Sequence, residues 1–83
     1  MTNEREKEKT FKITVSGVEK VVDHDVLTYE EVVLLFVNPP VEGTIYAVTY
    51  EKAKEPREGE LLAGQSVTIK NNTEFDVDDT GRS

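Results

Sequence analysis

The sequence predicts one small α+β domain in which a mixed sheet of four to five strands covers a single short helix. Three observations carry that prediction. The chain has 83 residues and no cysteine, so it has room for one core and no disulfide or thiolate-bound metal to staple it. Several segments alternate apolar and polar residues with period two, the pattern of half-buried strands. One segment alone carries both a helix start and a helix stop.

The elements follow in order. Phe11, Ile13 and Val15 alternate with Lys12, Thr14 and Ser16, which gives a first strand with one apolar face. Ser16-Gly17 supplies turn chemistry, and Val18 to Val22 offers a second strand, so the two form a hairpin. Asp23-His24-Asp25 breaks the pattern. Thr28-Tyr-Glu-Glu31 then reads as a capping box, with Thr28 as N-cap, Glu31 at the third helical position, and Leu27 and Val32 placed for a hydrophobic staple. The helix runs from Tyr29 to about Val37, with Val32, Val33, Leu35 and Phe36 as its apolar stripe, and Asn38-Pro39-Pro40 ends it. A third strand spans Thr44 to Ala53 with Tyr46, Val48 and Tyr50 inward; Lys54 to Gly59 is a charged loop, and Leu61-Leu62 suits only a very short strand. Val67 and Ile69 alternate with Thr68 and Lys70, Asn71-Asn72 reads as a hairpin turn, and the chain returns from Thr73 to Val77 with Phe75 and Val77 inward.

Hairpin, helix, strand, short strand and final hairpin is the order of the β-grasp arrangement, in which a twisted sheet buries the helix's apolar stripe. Periodicity alone leaves other α+β topologies open. The expected division is residues 1–9 as a flexible charged tail, 10–77 as the folded domain and 78–83 as a flexible C-terminal tail, because neither end has apolar residues to offset its ordering entropy. On the outer sheet face the strand parity puts Lys12, Thr14, Ser16, Thr49, Thr68, Lys70, Glu74 and Asp76, with Ile45 and Ala47 as the only apolar candidates.

Composition narrows the function. Seventeen acidic against ten basic residues leave a net charge of −7, which argues against nucleic acid as a partner and for partners with basic surfaces. No apolar run is long enough to span a bilayer and the N-terminus has no secretory pattern, so the expectation is a cytoplasmic protein without a membrane partner. Asp23-His24-Asp25 lies in a connection, without a second histidine to complete a metal or acid–base site, and reads as a solvated turn. Asn71-Asn72-Thr73 matches a glycosylation sequon, but its turn chemistry is the better account. With no nucleophile and base in pattern and no phosphate-binding loop, the chain is expected to act by being recognised, not as an enzyme, and to need no cofactor or metal.

Phe11-Lys-Ile-Thr-Val-Ser-Gly17, the helix closed by Asn38-Pro39-Pro40 and the ending Thr73-Glu-Phe-Asp-Val-Asp-Asp-Thr-Gly-Arg-Ser83 together resemble the bacterial multiubiquitin-type domain, here in a single copy, over residues 10–83. That resemblance implies a ubiquitin-like protein modifier. Its partners would be an adenylating activating enzyme, a conjugating enzyme, a metal-dependent processing peptidase and target proteins. The C-terminal carboxylate would be activated as an acyl-adenylate, passed to an enzyme nucleophile and joined to a target or to another copy.

The conjugation tail is then Thr80, Gly81, Arg82 and Ser83. Ubiquitin's terminal Gly-Gly pair is absent. Either a peptidase removes Arg82-Ser83 and exposes Gly81 as the acyl residue, or the Ser83 carboxylate is used directly; processing is the preferred version. Among the lysines, Lys7 and Lys9 in the N-terminal tail are the most accessible candidate acceptors for chain formation. The alternative is a non-conjugated β-grasp module, either a sulfur carrier or an adaptor.

Overall fold

The computed structural model describes residues 10–80. Seven strands and one helix follow in chain order: β1 (Phe11–Val15), β2 (Val18–Val22), β3 (Val26–Thr28), α1 (Tyr29–Phe36), β4 (Tyr46–Glu51), β5 (Gly59–Leu61), β6 (Ser66–Thr68) and β7 (Glu74–Asp79). Five of the strands form one mixed sheet in the order β2-β1-β7-β4-β5, and β3 and β6 make a separate two-stranded sheet. Within the large sheet β1 and β7 are parallel, and every other pair is antiparallel. The architecture is the α+β, ubiquitin-like β-grasp expected, with five strands in its main sheet.

The β1–β2 hairpin turns on Ser16 and Gly17, both with positive φ (49° and 83°), which suits a two-residue loop whose twist matches the strands. Ile13 and Val15 from β1, Val48 and Tyr50 from β4, and Phe75 and Val77 from β7 cover one face of the sheet. Val32 and Val33 of the helix, both buried, close that layer. The Thr28 cap is complete: its hydroxyl accepts from the Glu31 amide at 3.1 Å, and the Glu31 carboxylate accepts from the Thr28 amide at 2.9 Å. Leu27, just before the cap, is also buried in the core.

Several expectations are corrected. The chain reversal at Asn71-Asn72 is not a hairpin: β6 pairs with β3, and β7 inserts between β1 and β4. The turn grips a strand of the other sheet instead. Asn71 Oδ1 accepts the Lys12 amide at 2.8 Å, and the Asn72 amide donates to the Lys12 carbonyl at 2.7 Å. Thr68 and Lys70 therefore leave the outer face of the large sheet. Strand β3 was not expected, since its three residues read as the approach to the helix cap. The helical stripe is narrower than its periodicity suggested: Leu35 is half-buried and Phe36 is 40% exposed, because a helix of eight residues has too few turns to bury four large side chains against one sheet. Nor are Ile45 and Ala47 the only outer apolar residues. Val21 pairs opposite Lys12, which puts it on the outer face, where it is 62% exposed.

The C-terminal strand runs farther than expected. Asp78 and Asp79 extend β7 against Ala47 and Tyr46. No helix among the described residues is long and apolar enough to cross a membrane.

Candidate functional site

The C-terminus leaves the domain from the β7–β4 pair. Thr80 follows the last ladder residue and is tied to β4's approach: its amide donates to the Ile45 carbonyl at 3.0 Å, and its hydroxyl donates to the same oxygen at 2.6 Å. A hydroxyl can lock a strand end in this way because it supplies a second donor where the ladder runs out. Of the four residues expected to form the conjugation tail, Thr80 thus belongs to the margin of the sheet. Gly81, Arg82 and Ser83, like the candidate acceptors Lys7 and Lys9, lie outside the described residues.

A second feature is the outer face of the large sheet, toward the end of β7 opposite to the C-terminus. Between the β1–β2 turn and β5 it forms an open concavity of about 840 Å³. Thr14, Ser16 and Thr49 line it, together with Glu51, Glu58, Glu74 and Asp76. Strand alternation is the cause. Phe75 and Val77 must face the core, so Glu74 and Asp76 face out, and Tyr50 turns Thr49 and Glu51 the same way. Glu51 and Glu74 are register partners across β4 and β7, an arrangement that places like charges side by side. Lys52 offsets the pair. Its ammonium lies 3.2 Å from Glu74, and that hydrogen bond above all holds the Glu74 carboxyl below the usual carboxylate range. Beyond them, Lys12 pairs with Glu19 at 3.2 Å. The Ser16 hydroxyl donates to the Val77 carbonyl at 3.2 Å and accepts from its amide at 3.0 Å, which fastens the turn to β7.

Behind this face sits the buried Thr73. Its hydroxyl accepts from the Lys70 amide at 3.0 Å and reaches the carbonyls of Lys70 and Lys52 at 2.8 and 3.0 Å. It joins the start of β7 to the end of β4. Sequence reasoning placed Thr73 at the start of the returning strand and missed that role. The alternation that turns Phe75 and Val77 inward puts Thr73 on the same side, which is the signal that could have found it.

His24 has more partners than a solvated turn implies. Its Nδ1 lies 2.8 Å from Asp23 and its Nε2 3.0 Å from Glu31, the same carboxylate that closes the helix cap. Both ring nitrogens meet acceptors, so the doubly protonated ring is favoured; the Asp23 hydrogen bond above all raises the imidazole's pKa, and the Asp23 carboxyl is correspondingly lowered. The side chain remains 47% exposed. This is a surface ion-pair cluster that staples the connection to the helix N-terminus, and both ring nitrogens are already engaged.

Compared with known proteins, the chain matches the family model described as Multiubiquitin over residues 11–81. No curated protein and no solved structure matches it.

Proposed function

Because the chain belongs to the multiubiquitin family, we propose that it is a ubiquitin-like protein modifier that works through its C-terminus. In this reading an activating enzyme adenylates the terminal carboxylate. A conjugating enzyme then receives the acyl group on a nucleophile, and the modifier is joined to a target amine or to another copy, with Lys7 and Lys9 as candidate acceptors. The observation that carries the reading is the family match, which spans the whole folded body and runs through Gly81. In the preferred version a metal-dependent peptidase first removes Arg82 and Ser83 and exposes the Gly81 carboxylate.

The geometry suits the role. Thr80 is held at the edge of the sheet by two hydrogen bonds, so an enzyme cleft can engage the chain end without opening the core. Glycine at 81 lets that cleft approach the backbone closely. The acidic concavity complements basic docking surfaces, which favours correct partners and faster encounter. The setting of the proposal is the cytoplasm of a bacterium.

Deletion of residues 81–83 tests it, since Thr80 and the fold are kept. Expressed with the partner enzymes, the intact chain should form denaturant-resistant adducts and the shortened chain none. A non-conjugated adaptor would keep its partner binding in both forms, and adducts formed equally by both would remove the C-terminal mechanism. A sulfur carrier would show a terminal thiocarboxylate in place of a protein adduct.

A further inference from the structure

We propose that Thr80 is a latch on the chain end. Its release from the Ile45 carbonyl, with Asp78 and Asp79 peeling from β4, lets the C-terminus reach into an enzyme. The inference rests on the reading in which the Gly81 carboxylate is activated, and adds to it a step that must come before activation.

Burial does not hold this end of β7. Val77 is the last buried residue of the strand, while Asp78, Asp79 and Thr80 are all exposed. The β1 ladder stops at Phe75, and Ser16 reaches only as far as Val77. Beyond that point the strand's ladder partner is β4. Thr80 closes this one-sided stretch with two donors on a single oxygen, its amide at 3.0 Å and its hydroxyl at 2.6 Å. A carbonyl oxygen has two lone pairs, so it accepts both at once. Alternation makes Asp78 the next residue inward whose amide faces β4.

The β4 side of the latch is fixed. The Tyr46 carbonyl accepts from the Tyr29 hydroxyl at 2.7 Å, and the Tyr46 hydroxyl accepts from the Val41 amide at 3.1 Å. The Tyr46 ring is buried and meets Phe36 edge-on. Opening therefore moves residues 78–80 and leaves the core in place. A segment with so few buried contacts opens at a small fraction of the cost of global unfolding.

Reach is what gives the latch a consequence. With Thr80 held, the Gly81 carboxylate is one residue, at most about 3.6 Å of chain, from the margin of the sheet. An enzyme that must set that carboxylate beside a nucleotide phosphate would meet the folded body first. Freeing residues 78–80 adds about 10 Å of extended chain. A carboxylate at Ser83 already has that length beyond Thr80 and depends on the latch less.

Two measurements test this. In amide hydrogen exchange of the free chain, Thr80 should be protected, but less than Thr14, whose amide donates to Thr73 inside the sheet. Thr80→Val should lower the protection at position 80 roughly two- to tenfold, Thr80→Ser should keep it, and Thr14 should change in neither. The second uses a bridge. Positions 45 and 80 stand one step beyond the Tyr46–Asp79 pair, and the chain has no cysteine of its own. Ile45→Cys with Thr80→Cys therefore gives a latch that oxidation locks and reduction frees.

In a chain ended at Gly81, ATP–pyrophosphate exchange by the activating enzyme should be lost in the oxidised form and return on reduction. Both forms should keep the wild-type circular dichroism spectrum. Thr80→Val, with the looser latch, should be adenylated at least as well as the wild type. Equal exchange in the two bridge forms, a fall in exchange with Thr80→Val, or an unprotected Thr80 amide would overturn the latch and leave the modifier reading standing. No exchange with the unsubstituted chain ended at Gly81 would remove Gly81 as the acyl residue, and the latch with it.

Discussion

Replacing Thr73 with valine should destabilise the domain although the side chain keeps its shape. Thr73 is fully buried, and its hydroxyl accepts from the Lys70 amide and donates toward the Lys52 carbonyl. Valine fills the same space but leaves one donor and one acceptor in a partly buried corner. Each such group costs about 1–3 kcal/mol when its partner is removed. Against that, burial of the hydroxyl itself is no longer required, which recovers about 1–2 kcal/mol. The net expectation is a loss of about 2 kcal/mol, equivalent to roughly 8–16 °C in Tm for a domain of this size. Thr73→Ser provides the internal control, because it keeps the three hydrogen bonds and gives up one methyl group, at about 1 kcal/mol. Urea denaturation followed by circular dichroism measures both. The order wild type, serine, valine supports the reasoning. A valine variant as stable as the wild type, or more stable than the serine variant, would refute it, since the hydroxyl would then contribute nothing beyond its volume.

Other expectations follow from the same geometry. Thr28→Ala should lose about 1 kcal/mol through the capping box, read from the same denaturation curves. His24 should titrate above the ordinary imidazole value of 6.5. Its folded pKa is raised, so its contribution to stability is fully present below 6.5 and lost as pH rises through the folded value. An NMR titration midpoint below 6.5, or a His24→Gln variant with unchanged pH dependence of stability, would contradict the cluster. Glu51→Lys replaces a like-charge cross-strand neighbour of Glu74 and should raise stability by roughly 0.2–1 kcal/mol, an effect that added salt should shrink.

What could be read from the sequence depended on how local the signal was. The β1–β2 hairpin announced itself through Phe11, Ile13 and Val15 and a turn that tolerates positive φ. The Thr28–Glu31 cap is a four-residue code, and the structure completes both of its hydrogen bonds. The inward faces of β4 and β7 followed from alternation alone. Pairing was harder. Asn71-Asn72 signals a reversal but cannot say which strand receives the returning chain, and here Lys12, 59 residues from Asn71, is what the turn holds. β3 and β6 are three residues each, too short for periodicity to separate from loop. The His24–Glu31 contact spans seven residues across a strand and a helix cap, so no spacing rule predicts it. Val21 and Val22 are adjacent apolar residues, and only the register decided which one faces out. The acidic outer face, by contrast, was legible from Glu74 and Asp76 because their neighbours Phe75 and Val77 had to be buried.

The central claim is that this folded body serves a C-terminus that becomes covalently attached. It is tested most directly by isolating adducts formed with the partner enzymes, digesting them and sequencing the junction by mass spectrometry. The account predicts a junction peptide in which the carbonyl of Gly81, or of Ser83 if no processing occurs, is bonded to a target side chain. A chain recovered only with a free, unmodified C-terminus from active enzyme mixtures would contradict it.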